Sequence, residues 1–173
     1  QNYDKEQEYT KKTVVEFKKI YAPSHTDEHL LDRQTLWNEV EKSELKKNGE
    51  IKATAQLARE FEIAFPQELN QAQRQKMLDE LCQKIVERHG VIVDACIHAP
   101  HTASGSDERN YHAHILLTTR SINEHGTLGK KTREFNDHGK QQVEHWRAQF
   151  AELCNHHLEQ MGSLERVDHR RYK

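Results

Sequence analysis

Residues 110–120, NYHAHILLTTR, set two histidines two positions apart at the head of an apolar, β-branched run. On a helix, side chains two apart point in nearly opposite directions, whereas on a strand they share a face. The composition of the run favours a strand over residues 111–119. His112 and His114 then share a face with Leu116 and Thr118, while Tyr111, Ala113, Ile115 and Leu117 line a core face. A second such run, VIVDACIH over residues 91–98, ends in His98, and turn formers (APHTASGSDE) separate the two. Paired as a long-looped antiparallel hairpin, the last residue of the first strand meets the first residues of the second, which brings His98 beside His112 and His114. Three imidazoles from adjacent strands make a facial ligand set with open coordination positions. Neutral nitrogen ligands leave the ion's charge available as a Lewis acid on a phosphoryl oxygen. The competing account of an H-x-H pair on a strand is a polar surface feature with no ligand.

The rest of the chain supplies helices for such a sheet. Val14, Val15 and Phe17 anchor a short extended piece that turns at Pro23. Over residues 32–47 the spacing of Leu36, Trp37, Val40 and Leu45 predicts an amphipathic helix stopped near Asn48 and Gly49. TAQLAREFEIAF alternates, with Phe61, Ile63 and Phe65 on one side and Glu60 and Glu62 on the other, and Pro66 ends it as a strand. Asn70 is a good N-cap for a helix carrying Leu78, Leu81, Cys82, Ile85 and Val86, with Gly90 as its stop. Residues 121–139 read as a loop, and 140–161 as a last long helix with Val143, Trp146, Phe150, Leu153 and Leu158 inside. Trp37 and Trp146 both fall on apolar stripes and read as core.

At 173 residues the chain fits one domain. A formal net charge of −2 gives no global pull toward nucleic acid, so a polyanion site has to rest on local basic clusters. Cys82, Cys96 and Cys154 lie far apart within apolar patterns and without C-x-x-C spacing, which reads as reduced core thiols of a cytoplasmic protein. No apolar run approaches membrane-spanning length and no signal peptide is visible, so membrane insertion is not expected.

LAREFEIAFPQEL, IHAP, NYHAHILLTTR, GTLGKKTREFND and VDHRRY follow one another in this chain, and in that order they resemble the MobA/MobL (MobQ-type) plasmid relaxases, His-hydrophobe-His endonucleases that nick one DNA strand at a transfer origin. The likeness is good over residues 50–173 and looser over YDKEQEYTKK and DRQTLWNEVEKSE. It implies a relaxase catalytic domain over residues 51–173, preceded by a polar segment and helix over 1–50, in a single domain overall. It implies that His98, His112 and His114 hold Mg²⁺ or Mn²⁺, which polarises the scissile phosphate while a tyrosine attacks and forms a 5′-phosphotyrosyl intermediate. Its partners would be single-stranded and supercoiled plasmid DNA at the transfer origin, together with accessory relaxosome proteins and secretion machinery.

In that family the tyrosine sits near the N-terminus, ahead of the segment like YDKEQEYTKK. Tyr3 and Tyr9 match positions after it, Tyr111 lies on the strand face opposite the histidines, and Tyr172 matches the tail, so the nucleophile is expected outside this chain. A tyrosine with an ordinary pKa of about 10 also needs activation. Glu60 and Glu62, on one face of their strand, are candidate partners or proton acceptors for the histidines if the strand joins their sheet. Asp94 shares parity with His98 and is a weaker candidate for orienting an imidazole. Lys130, Lys131 and Arg133, with Arg120, are the candidate phosphate contacts.

The architecture expected is α+β, an antiparallel β-sheet with helices packed on one face and the histidine metal site on the other. Three other functions compete. A rolling-circle replication initiator of the same motif would use Tyr172 as nucleophile. A non-catalytic DNA-binding module would carry structural or Zn²⁺-binding histidines. A small zinc hydrolase would ignore DNA.

Overall fold

The computed structural model describes residues 14–52, 56–100, 110–160 and 162. Four strands form one antiparallel sheet: β1 (Val15–Tyr21), β2 (Ala58–Ala64), β3 (Val93–His98) and β4 (His112–Thr118), in the order β1-β3-β4-β2. The two histidine-bearing strands are therefore central and adjacent, as a hairpin requires. Their register sets His98 opposite His112, Cys96 opposite His114 and Asp94 opposite Leu116. On the other side of β4, Glu62 faces His114 and Ala64 faces His112.

Two helices cover one face of the sheet. The first, at Gln71–His89, begins with a capping box in which Asn70 and Gln73 satisfy each other's backbone N–H, and stops at Gly90 in the left-handed region (φ 66°). The second is the long helix Arg133–Gln160. Their apolar stripes close on Phe61, Ile63, Ala95, Ile97, Ala113 and Ile115, the residues whose parity is opposite to the histidines. Trp146 Nε1 donates to His89 Nε2 at 2.9 Å, and the other ring nitrogen of His89 lies 2.9 Å from Glu134, which pins the two helices together.

The other face is not left to the histidines alone. The helix at Arg33–Ser43, taken in chain order as α1 (with Gln71–His89 as α2 and Arg133–Gln160 as α3), is capped by Asp32 and lies across the far half of that face. Leu36, Trp37 and Val40 pack there with Ile92, Leu116 and Ile122. The expectation of helices on one face is thus corrected: Leu116 shares its side with His114 but is buried under α1, which is only 11 residues long and packs at the Ile92, Leu116 and Ile122 end of that face. α1 also ends at Ser43 rather than near residue 48, because Glu44 turns inward and Leu45 bridges to Ile51.

Asp94 explains why α1 docks where it does. Its carboxylate is 1% exposed and takes Arg33 Nε at 3.0 Å on both oxygens, Arg33 Nη2 at 2.9 Å and Trp37 Nε1 at 2.8 Å. The notion that Asp94 orients an imidazole is corrected accordingly; it anchors α1 to the sheet. Both tryptophans are buried, as expected of core residues.

Residues 121–139 are ordered where a loop was expected. β5 (Arg120–Ile122) and β6 (Leu128–Lys131) form a small hairpin, and α3 starts at Arg133 with a break at His138 (φ −139°, ψ 38°), just before Gly139. Asn123 Oδ1 accepts the N–H groups of His125 and Thr127 and so builds the turn itself. Gly126 (φ 81°) then lies so close to the loop before α1 that a Cβ would fall 2.5 Å from the carbonyl of His25. Of the glycines in this stretch, Gly126 thus marks a tight contact and Gly139 follows the kink. Cys82, Cys96 and Cys154 are buried free thiols. No helix among the described residues is long and apolar enough to cross a membrane.

Removing the Asp94 carboxylate takes the shared buried acceptor away from Arg33 and Trp37. Asp94→Ala is expected to lower the unfolding free energy by about 3–5 kcal/mol, measured by urea titration.

Candidate functional site

The end of β3 and the start of β4 carry the histidines. His98 is 8% exposed, and its ring stacks on that of His112, with centroids 5.5 Å apart and planes 14° from parallel. This is the side-chain consequence of direct cross-strand pairing. His114 is one pleat further along β4 on the same face, where β2 presents two carboxylates to it. Its Nε2 lies 3.2 Å from Glu60 and its Nδ1 3.5 Å from Glu62. The alternation of β2 delivers both glutamates to the histidine face, as its pattern predicts, while Phe61 and Ile63 face the core.

These contacts separate the proton affinities of the site. Burial, aided by the neighbouring His112, lowers the His98 pKa from 6.5 to about 4, so its ring is neutral near pH 7 with a lone pair to offer. His114 moves the other way: burial pulls its pKa down, but hydrogen bonding to Glu62 and the charges of Glu60 and Glu62 outweigh it and leave it raised. Glu62 is lowered, chiefly by its hydrogen bond with His114 against some burial, with His98 and His112 adding to the effect. One imidazole is thus held neutral, while its neighbour forms a proton-sharing pair with a carboxylate.

The donor set suits a divalent ion. Nitrogen ligands from His98, His112 and His114 with Glu62 alongside are the chemistry that Mn²⁺ accepts, and Mg²⁺ would lean on the carboxylate. As the side chains stand, no three His, Cys, Asp or Glu among the described residues converge into a metal-holding group. Two rings lie face to face and the third is turned to its glutamates.

The basic candidates divide. Glu44, 1% exposed on its side chain, draws in Lys131 Nζ at 2.5 Å and Arg120 Nη2 at 3.2 Å, and accepts the backbone N–H of Gln56 at 3.2 Å. Burial raises the Glu44 pKa, but these partners outweigh it and hold the group below its usual value. Arg120 also donates to the carbonyls of Gly129 and Ser43. The structure therefore gives Arg120 and Lys131 a fold role, tying the hairpin to the end of α1. Lys130 and Arg133 are exposed. All four sit beyond the C-terminal end of β4, about 20 Å along the strand from His112 at 3.3 Å per residue.

Arg147 was missed. It reaches Glu62 electrostatically from α3, and nothing in its local pattern separates it from an ordinary solvated charge. Among the tyrosines, Tyr21 is buried against Asp79, which with burial raises its pKa strongly, and Tyr111 lies under the Arg74 guanidinium, 3.6 Å from its ring centroid. Neither belongs to the histidine patch. Tyr3, Tyr9, Tyr172 and the VDHRRY tail lie outside the described residues.

The opposed shifts give opposite pH dependences. For His98 the folded pKa of about 4 lies below the unfolded 6.5, so the unfolded chain binds more protons between those values and folding weakens as pH falls through that window. His114, being raised, stabilises the fold below its unfolded pKa and loses that contribution as pH rises through its folded value. His98→Gln is expected to flatten the loss of stability between pH 6.5 and about 4, read from urea midpoints at several pH values. Persistence of the full wild-type slope in this variant would contradict the assignment.

The MobA/MobL family model matches residues 1–173. The mobilization protein MobL of Acidithiobacillus ferridurans is 31% identical over 188 residues, covering 94% of this chain and 47% of that protein. The conjugal transfer protein TraA of Agrobacterium fabrum is 27% identical over 158 residues, covering 81% of this chain and 13% of that protein. The chain thus spans about half the length of MobL and a smaller share of TraA. A solved structure concerning the molecular basis of vancomycin resistance transfer in Staphylococcus aureus matches with a TM-score of 0.68 at 28% identity, over 89% of this chain and 75% of that one. With its sequence matched end to end, this chain belongs to the MobA/MobL family.

Proposed function

We propose that this chain is the catalytic region of a plasmid-mobilisation relaxase, which nicks one strand of DNA at the transfer origin by tyrosine transesterification. The observation that carries the reading is the cross-strand stack of His98 on His112, with His114 and its two glutamates next to it on the same face. On that face His112, His114 and the two glutamates keep part of their surface exposed, where a strand's phosphate would approach.

His98, His112 and His114 would hold Mg²⁺ or Mn²⁺, with Glu62 as an oxygen neighbour; such an ion supplies charge to the non-bridging oxygens of the scissile phosphate. The remaining steps fall to a tyrosine and to the acid–base groups beside the histidines. A tyrosine Oη attacks phosphorus, the P–O3′ bond breaks, and the 3′-oxygen leaves with the bonding pair. Glu62, beside His114, would take the phenolic proton and return one to the departing oxygen. The 5′-phosphotyrosyl link conserves the energy of the broken ester, so attack by a 3′-hydroxyl rejoins the strand. No described tyrosine stands on the histidine face, so the attacking hydroxyl is assigned to a residue outside the described ones. The reaction would take place in the cytoplasm, on supercoiled plasmid, with relaxosome accessory proteins and a secretion apparatus as partners.

The reading is tested in the full-length protein by nicking of a supercoiled plasmid that carries its transfer origin. His112→Ala is expected to abolish Mn²⁺-dependent nicking, and Glu62→Gln to weaken the apparent metal affinity by about 10–100-fold. Tyr172→Phe is expected to nick like wild type. Loss of nicking in that variant would instead favour a replication initiator, and undiminished nicking by His112→Ala would remove the metal site.

A further inference from the structure

Among the described residues β2 is an edge strand, paired with β4 on one side only. Beside its open edge runs a groove of about 760 Å³, floored by Ala58, Arg59 and Glu60 and walled by α3 from Gly139 to Arg147. Three of its lining residues are cationic: Arg59, Lys140 and Arg147. Two are acidic, and both have other engagements: Glu60 reaches His114 at 3.2 Å, and Glu144 faces Arg147. The groove ends at the histidine patch, since Glu60 belongs to both and Arg147 reaches Glu62 electrostatically.

The backbone adds donors. Phe65 N–H points toward β4, where it bonds the carbonyl of Tyr111 at 2.8 Å. The register is unbroken over Ala58–Ala64, and successive residues of a strand point their backbone groups to alternate sides. The N–H groups of Glu60 and Glu62 therefore face the open edge, away from β4. At Gly139 α3 passes over the Arg59 guanidinium, where an added Cβ would make ordinary contact at 3.6 Å from Cζ. Arg59 itself is held by a 2.7 Å bond to the carbonyl of Phe135.

We propose that this edge groove seats the phosphodiester backbone of the DNA single strand adjoining the cut, with Arg59, Lys140 and Arg147 as its phosphate contacts. This rests on the relaxase reading and adds the path by which the strand reaches the histidines. It also displaces the β5–β6 hairpin as the principal basic element: two of that hairpin region's four candidate cations, Arg120 and Lys131, are spent on Glu44.

The test uses a short fluorescein-labelled oligodeoxythymidylate and the full-length protein, with affinity read by anisotropy between about 50 and 200 mM salt. The double variant Lys140→Gln/Arg147→Gln is expected to bind about 10-fold more weakly. The slope of log affinity against log salt should flatten by about 1.4, two phosphate contacts at about 0.7 each on single strands. Lys130→Gln/Arg133→Gln should keep most of the wild-type slope. A photo-crosslinking residue at position 144 should form a DNA adduct. Wild-type affinity and slope in the Lys140/Arg147 variant, or crosslinks at 144 only to polypeptide, would overturn the groove and point to a protein strand added to the β2 edge. Failure of the wild-type protein itself to bind the probe would overturn the relaxase reading too, so the two failures are distinct. Should the double variant unfold, exposed Lys140→Gln alone and the crosslink decide the matter.

Discussion

The antiparallel register of β3 on β4 is the constraint on which the site depends. Because strand side chains alternate with a period of two, sliding one strand by a single residue would place Ile97 or Ala113 where the stacked rings now meet and drive a histidine into the α2–α3 core. That register is held by burial on both faces. Ala95, Ile97, Ala113 and Ile115 lock it from one side, and Asp94 with Leu116 from the other. A polar, solvent-facing hairpin would have no such penalty against slipping. The geometry of the histidines is therefore an outcome of how tightly the two neighbouring hydrophobic layers fit.

The second layer has a further consequence. α1 is drawn onto the histidine face by a buried carboxylate that accepts from both Arg33 and Trp37. Such a cluster gives less net stability than its short distances suggest, since desolvating Asp94 and Arg33 offsets much of their attraction. What it contributes is position: the helix can dock in one place only, over Leu116 and Ile92. Glu44 repeats the arrangement at the end of α1, where Arg120 and Lys131 fasten the hairpin. Two buried carboxylates thus hold α1 and the hairpin over the end of the sheet away from where β3 finishes and β4 begins.

Much of this was legible in the chain. Asn70 and Gly90 mark the two ends of α2, because a cap and a left-handed stop are local chemistry. The parity of His98, His112 and His114, and of Glu60 and Glu62, follows from alternation and is borne out in the register. What escaped was non-local. Nothing near Asp94 announces Arg33, 61 positions away, so its parity with His98 pointed to the wrong partner. Arg120 and Lys131 looked like phosphate contacts because a basic, glycine-bearing segment has the same composition whether its cations meet DNA or a buried Glu44. Arg147 shows the converse: a helix-surface charge acquires meaning only when the fold sets it at a sheet edge beside Glu62.

The charges of the site make a physical case for a cation there. Glu60 and Glu62 stand against His114, where the proposed reaction would bring a phosphate carrying a further negative charge. The chain as a whole, with a formal charge of −2, offers no compensating field. A protonated His114 cancels one of the two carboxylates and leaves the other to repel the strand. Arg147 offsets part of that remainder from the groove side, but it is shared with Glu144. A phosphate seated beside this pair stays electrostatically unfavourable until positive charge arrives from elsewhere, and under the proposed metal reading the neutral ring of His98, stacked on His112, would be one of the nitrogen donors to hold it. Were His114 to ligate the proposed ion it would have to lose its proton, so uptake of that charge and release of a proton would be coupled, and the affinity for a divalent ion would rise with pH.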